Sequence, residues 1–386
     1  MYKKYFSKFL TANEHRLHFA GHSHHYWPDI TKKAQEDYWL DSMNLVDDKW
    51  GKIFGTKIVQ TQKHIANILK IKNYQNIAFA PNTHELVYRI ISSIEKDGPI
   101  NILSTDSEFY SFERQALRLE ESNELEVKRV PSEPFNDFTQ RFSDESKKSE
   151  YDIIFVSQVF FNNSYAINDL LSFVNSLDQK PLIVIDGYHS FMAIDVDLSE
   201  LEDKIFYLSG SYKYAGGGEG CCFSLIPKDC KLRPKFTGWF AEMSELSNKD
   251  PKKVSYQNDG MRFAGSTMDF TSLYRLESWL KLREDEGITV KAVSDHVKNL
   301  QNLFIKETEM TALAQYLVSD TLNCGNFLVY RLPSVEITTR VVEYLRDKNI
   351  MTDSRKNILR FGISMYLDEQ DIRNCAKVIS QIEGVI

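Results

Sequence analysis

Cysteine is scarce in this chain of 386 residues: five thiols, an odd number, with no C-x-x-C pair. That argues against both a disulfide framework and a zinc site. Long hydrophobic runs are missing too. The longest, such as Leu182 to Ile185, fall far short of the ~20 residues a membrane helix needs, so no membrane partner is expected. The first ten residues carry no apolar stretch with a small-residue cleavage site, so the expected location is the cytoplasm. Basic charge is not in excess either. With 47 basic against 54 acidic residues, the net charge of -7 repels a phosphate backbone, and nucleic acid is not an expected partner. No internal repeat or low-complexity tract interrupts the chain.

What is present is the balance of a folded protein with a sizeable core, 42% hydrophobic and 26% charged. The length implies two domains, or one large body with an appendage. Short apolar runs rich in Ile and Val alternate with helical patterns, giving expected strands at 76–80, 100–104, 125–130, 153–157, 182–186, 205–209 and 221–225. Strands so uniformly apolar belong to a sheet covered on both faces, so the fold class is α/β with a mostly parallel sheet between helices. Helical spacing of Leu86, Val87, Ile90, Ile91 and Ile94 predicts a helix over 83–94. The charged stretch 144–150 reads as a solvated loop. After Met268 long helices take over, followed by strands at 327–332 and 359–363 with helices at 335–348 and 369–383, which is the pattern of a smaller α+β C-terminal domain. The expected division is an N-terminal segment 1–44 at the active-site mouth, a large domain 45–284, and a small domain 285–386.

Ligands of open parallel sheets bind beyond the carboxyl ends of the strands, so polar residues there come first. One strand ends in Asp186, within IDGYHS, and the next runs into SYKYAGGGEG with Lys213. A lysine that bonds an aldehyde and an acid that keeps a pyridine nitrogen protonated are the two groups pyridoxal phosphate chemistry needs. Taken alone, the pair also reads as a solvent-facing lysine and a turn acid. A third strand end, NIAFAPNTHE, opens a helix at Thr83 and His84, where backbone N–H groups suit a phosphate or where Asn82 or Thr83 simply caps the helix.

With FAGHSH, NTHE, EFYSF, DGYH, SYKYAGGGEG, RPKFTGWF, MRFAGST and ILRFGIS in order over 19–364, the chain resembles the fold-type I, class V aminotransferase-type pyridoxal phosphate enzymes, and kynureninase most closely. The resemblance implies pyridoxal 5'-phosphate as cofactor and catalytic roles for Lys213, Asp186 and His189. Thr83, His84 and Tyr212 match phosphate-side positions, and Phe109 the ring-stacking aromatic. Ser266 or Thr267 matches the position that reaches the phosphate from a neighbouring subunit, implying a homodimer with shared sites. Trp239 matches the tryptophan of the kynureninase branch, and Arg360 the arginine that grips the substrate carboxylate. His24 or His25 is expected to touch the amino-acid substrate. No metal is expected at the H-x-H-H cluster. The chain departs from the kynureninase pattern at Phe112, where an acid is expected, at Gly265 to Thr267 and at Glu219, positions expected near the substrate side chain.

The implied reaction is kynureninase-like Cβ–Cγ hydrolysis, with an aminotransferase as the alternative. A regulator without turnover and a cysteine desulfurase are the remaining readings. Cys324, leading straight into an apolar strand, reads as a buried small hydrophobe rather than a reactive thiol.

Overall fold

The computed structural model describes residues 2–245 and 252–386. Its strands are β1 (Leu17–His18), β2 (Ile77–Ala80), β3 (Ile100–Thr105), β4 (Leu125–Val130), β5 (Ile153–Ser157), β6 (Leu182–Asp186), β7 (Ile205–Gly210), β8 (Cys222–Leu225), β9 (Phe327–Arg331), β10 (Ile350–Met351), β11 (Asp353–Arg355) and β12 (Ile358–Gly362). Seven of them form the main sheet, in the order β2-β8-β7-β6-β5-β3-β4, with β3 to β7 mutually parallel and β8 antiparallel to both its neighbours.

The two-sided burial read from the sequence holds where the sheet is central. All residues of β5 and β7 are buried. On one face Ile102, Phe155, Val184 and Phe206 pack with helix Thr83–Ser92. On the other Leu103, Ile154, Ile183 and Tyr207 join the largest apolar cluster, as the period of two demands. Strand β4 lies at an edge, and there its middle residues are exposed or half-buried, which is why LEVKRV alternates. The stretch 144–150 differs from expectation: its first residues end helix Phe138–Ser146, anchored by buried Phe138 and Phe142. Charge there hid a pattern set by aromatics one helical turn apart.

Chain order places the site. From β3 the chain steps outward to β4, then returns past β3 to β5, β6 and β7 on the other side. The reversal opens a crevice between the carboxyl ends of β3 and β5, where α/β sheets bind ligands. The smaller antiparallel sheet, β11-β12-β9, packs with helices Val290–Thr308, Val335–Asp347 and Glu369–Ile379 around a second core. Tyr2, Phe6 and Phe19 are buried in that same core, and β1 pairs in parallel with β10, so the N-terminal segment is fastened to the C-terminal body.

Candidate active site

Strand ends and the loops that follow them converge on a cavity of about 220 Å³ lined by, among others, Thr83, Phe109, Asp186, Tyr188, His189 and Lys213. Lys213 stands in the connection between antiparallel neighbours β7 and β8. Gly216, Gly218 and Gly220 have φ of +67°, +71° and +100°, so the GGGEG run supplies left-handed conformations that fold this loop back over the sheet. Glycine at Gly217 answers a second need, since a Cβ there would come within 2.9 Å of the Ser211 side chain.

Lys213 is buried, and its Nζ lies 2.6 Å from His189 Nε2 and 5.4 Å from the centre of the Phe109 ring. Tyr188 and Tyr212 present their rings at 5.2 and 5.9 Å. Burial pulls the Lys213 ammonium down to about 7, against the pull of Asp186 and with the help of Arg360. Asp186 is raised by the same burial, opposed by the Tyr188 N–H that donates to Oδ1 at 2.9 Å and by Lys213. His189 is driven well below its ordinary range by burial and then by Lys213, so it is a neutral imidazole. The neutral imidazole has a lone pair, so Nε2 can accept from the lysine.

The remaining sequence expectations fall in different places. Thr83 and His84 line the cavity at the start of helix Thr83–Ser92, whose cap is Asn82, accepting from the Glu85 N–H at 2.9 Å. Tyr212 lines it too. Ser266 and Thr267 are exposed and line a neighbouring cavity with Pro81, Glu85 and Arg89. Trp239 lies outside the lysine cavity, donating from Nε1 to Thr267 Oγ1 at 3.2 Å and packing on Trp50. Arg360, 1% exposed on β12, donates from Nη1 to the Phe161 carbonyl at 3.1 Å, with that residue's ring 4.5 Å away.

The histidines separate. His24 is exposed and meets the Tyr212 ring edge-on at 5.9 Å. His25 instead is a core residue among Phe6, Tyr214 and Tyr366, donating from Nδ1 to the Tyr26 carbonyl at 2.7 Å. The histidine that approaches the lysine is His22, stacked on Phe327 and close enough to depress His189. Phe112 also differs from expectation, because it stacks on Phe155 in the core at 3.8 Å rather than facing the cavity. Glu219 does line the cavity, as expected of a substitution near the substrate.

Two groups escaped the sequence reading. Glu108 is buried at the carboxyl end of β3, accepting from the Ser157 N–H at 3.1 Å and from Thr105 Oγ1 at 2.7 Å. Burial raises it to about 7, those hydrogen bonds notwithstanding. Asp353 pairs with Arg360 across the β11–β12 hairpin. The only sequence hint of the second was the Lys-Asn turn pair in DSRKNILR, since the three residues of β11 carry no hydrophobic period.

The cavity suits a flat, phosphorylated aldehyde. A buried lysine whose amine is lowered to about 7 faces it, with a strand-end acid, an aromatic ring beside the amine and a helix N-terminus among its lining. The sequence matches the aminotransferase class V family over residues 28–373. The chain belongs to that family. Its cofactor is pyridoxal 5'-phosphate, and its fold is fold type I. No curated protein matches the chain. Among solved structures it is similar to C-DES, a cystine C-S lyase, in a variant with glycine covalently linked to its cofactor: TM-score 0.83, 13% identity, 98% of each chain covered. A cysteine desulfurase from Thermococcus onnurineus NA1 superposes at TM-score 0.81 with 14% identity, covering 98% of this chain and 96% of the other. The cysteine desulfurase CsdA from Escherichia coli gives 0.79 at 12% identity and 98% coverage of both. At such identities the likeness is one of fold, and none of these structures is a kynureninase.

Proposed function

We propose that this family member acts on an α-amino acid, with kynureninase-like Cβ–Cγ hydrolysis as its reaction. The observation that carries the proposal is a buried amine, Lys213, and a buried acid, Asp186, in one cavity, with a buried guanidinium, Arg360, held against Phe161 of its lining. Pyridoxal phosphate, when bound, supplies an electron sink for charge left at the substrate Cα. Lys213, lowered by burial to about 7 and so in part neutral near pH 7, would serve as the base for the Cα proton. His189 Nε2, at 2.6 Å, accepts a hydrogen bond from the lysine amine and orients it. Asp186 keeps the ring nitrogen protonated, and Arg360 grips the substrate carboxylate through its planar fork. The rings of Phe109, Phe161, Tyr188 and Tyr212 restrict water and suit a flat side chain.

A desulfurase reading requires a thiol that receives sulfur. Cys222 lines the cavity, but burial pushes its thiol up to about 12, and Tyr188 Oη covers it at 3.4 Å. Cys324 is raised by burial and sits beside Lys298. Transamination is the second reading, because the Lys213–His189 contact serves equally to return a proton to the cofactor.

The site is completed by a second copy in this proposal. Ser266 and Thr267 reach the partner's phosphate, and the exposed apolar side chains of Trp39, Leu40, Met43 and Val46, 64, 41, 53 and 66% accessible, supply contact surface for it. Product analysis after mixing purified protein with an amino-acid panel that includes kynurenine and 3-hydroxykynurenine tests the reaction. Alanine with an anthranilate is expected; a keto acid with conversion to the pyridoxamine form points to transamination, and no turnover of any amino acid overturns the proposal.

A further inference from the structure

The substrate-carboxylate arginine already holds a carboxylate of its own chain. Hairpin β11–β12 turns through Lys356, at φ +52°, and Asn357, and this tight turn sets Asp353 directly across from Arg360. Arg360 Nη2 donates to Asp353 Oδ2, and Nη1 to the Phe161 carbonyl, while Nε is buried without a partner among the described residues. The other oxygen of Asp353 accepts from Arg355 Nη1 at 2.7 Å, and His22 Nε2 lies 3.4 Å from Oδ2. One aspartate thus bridges a buried arginine, Arg360, and a half-exposed one, Arg355.

We propose that Asp353 is a built-in competitor for Arg360, a latch that keeps the guanidinium paired when no substrate is bound and that every ligand carboxylate must displace, so that a plain carboxylate binds weakly while an amine-anchored α-amino acid still binds. The inference rests on the assignment of Arg360 to the substrate carboxylate. Burial alone works against ionising Asp353, but His22, Arg360 and Arg355 outweigh it and hold the carboxyl well below its usual range. It therefore stays charged at every physiological pH, and protonation does not open the latch. Exchange does. A ligand carboxylate takes over Nη2 and finds the unpartnered Nε–H beside it, while Asp353 keeps Arg355, so no charge is left unpaired. A plain carboxylate brings only its own affinity to that exchange. An α-amino acid whose amine is anchored at Lys213 presents its carboxylate at high effective concentration, and wins.

The test is the Asp353→Asn holoenzyme titrated with propionate, binding being read by calorimetry and by the cofactor absorption band. Propionate is expected to bind at least about tenfold more tightly than to the parent protein, the size of one charge-assisted hydrogen bond released. Affinity for the amino-acid substrate should rise by a similar factor, because its carboxylate displaces the same aspartate. Unchanged or weaker propionate binding would show that Asp353 only orients Arg360, and would overturn the latch. Should the asparagine variant not fold, Asp353→Ala carries the same expectation. Arg360→Ala in the Asp353→Asn background separates the two readings: if propionate still binds there, the assignment of Arg360 has failed, and if it no longer binds, the first titration judges the latch alone.

Discussion

Two buried groups at the crevice carry opposite departures from their ordinary ionisation, and each makes a measurable demand. Lys213 is lowered and Glu108 is raised, both to about 7, chiefly by burial. Lys213→Ala should cut turnover by about 10²- to 10⁴-fold, the range for removing a general acid–base group, with the substrate dissociation constant much less affected. Single-turnover kinetics with equilibrium binding would show this. For Glu108 the sign is that of a carboxyl whose folded value lies above the unfolded one. Its stabilising contribution is complete below pH 4.5 and is lost as pH rises through 7. Glu108→Gln, which mimics the protonated acid, should be more stable than the parent by about 1 to 3 kcal/mol at pH 8, with the gap closing below pH 4.5. Urea unfolding of cofactor-free protein at several pH values checks it; a gap independent of pH would mean that Glu108 is not the titrating group. Lys213, Asp186 and His189 were legible as residues because strand-end position and motif agree. Glu108 was not: it sits one place before Phe109 in a segment read for its aromatic, and only the fold brings it over Ser157.

Among the elements, the legible ones had a strong period and burial on both faces. Strands 125–130, 153–157 and 182–186 were read with the bounds they have. β11 was missed because three residues, none of them buried, carry no hydrophobic period. With it went Asp353, and with Asp353 the counter-charge of Arg360. The histidine cluster was only partly legible: in a segment without regular structure, spacing does not say which ring turns inward, so His25 in the core, His22 near the lysine and His24 beside Tyr212 had to be seen. Backbone demands at the strand ends give two further predictions. A Cβ at Gly187 would stand 2.1 Å from the Tyr207 ring, so Gly187→Ala should destabilise the protein by about 1 to 3 kcal/mol through forced repacking beneath Asp186. Denaturant melts would measure it. Asn82→Ala, removing the cap of helix Thr83–Ser92, should cost about 1 kcal/mol and loosen cofactor binding at the helix N-terminus. Equilibrium dialysis of the cofactor reads the second effect, and unchanged affinity would place the phosphate elsewhere.

For the molecule as a whole, the shared site of the proposed homodimer predicts complementation. Lys213→Ala and a Ser266→Ala/Thr267→Ala double variant, each defective alone, should regain about a quarter of parental activity when refolded together, because one hybrid site then has both intact halves. No recovery on mixing would confine each site to one chain. The catalytic expectations depend on the amine at Lys213 carrying the cofactor. The most direct test is borohydride reduction of the coloured holoenzyme followed by peptide mapping. The cofactor mass should be found on Lys213, in the SGSYK peptide, with loss of the visible band. Label on another lysine, or none after supplying pyridoxal phosphate, would contradict the assignment of this crevice as the active site.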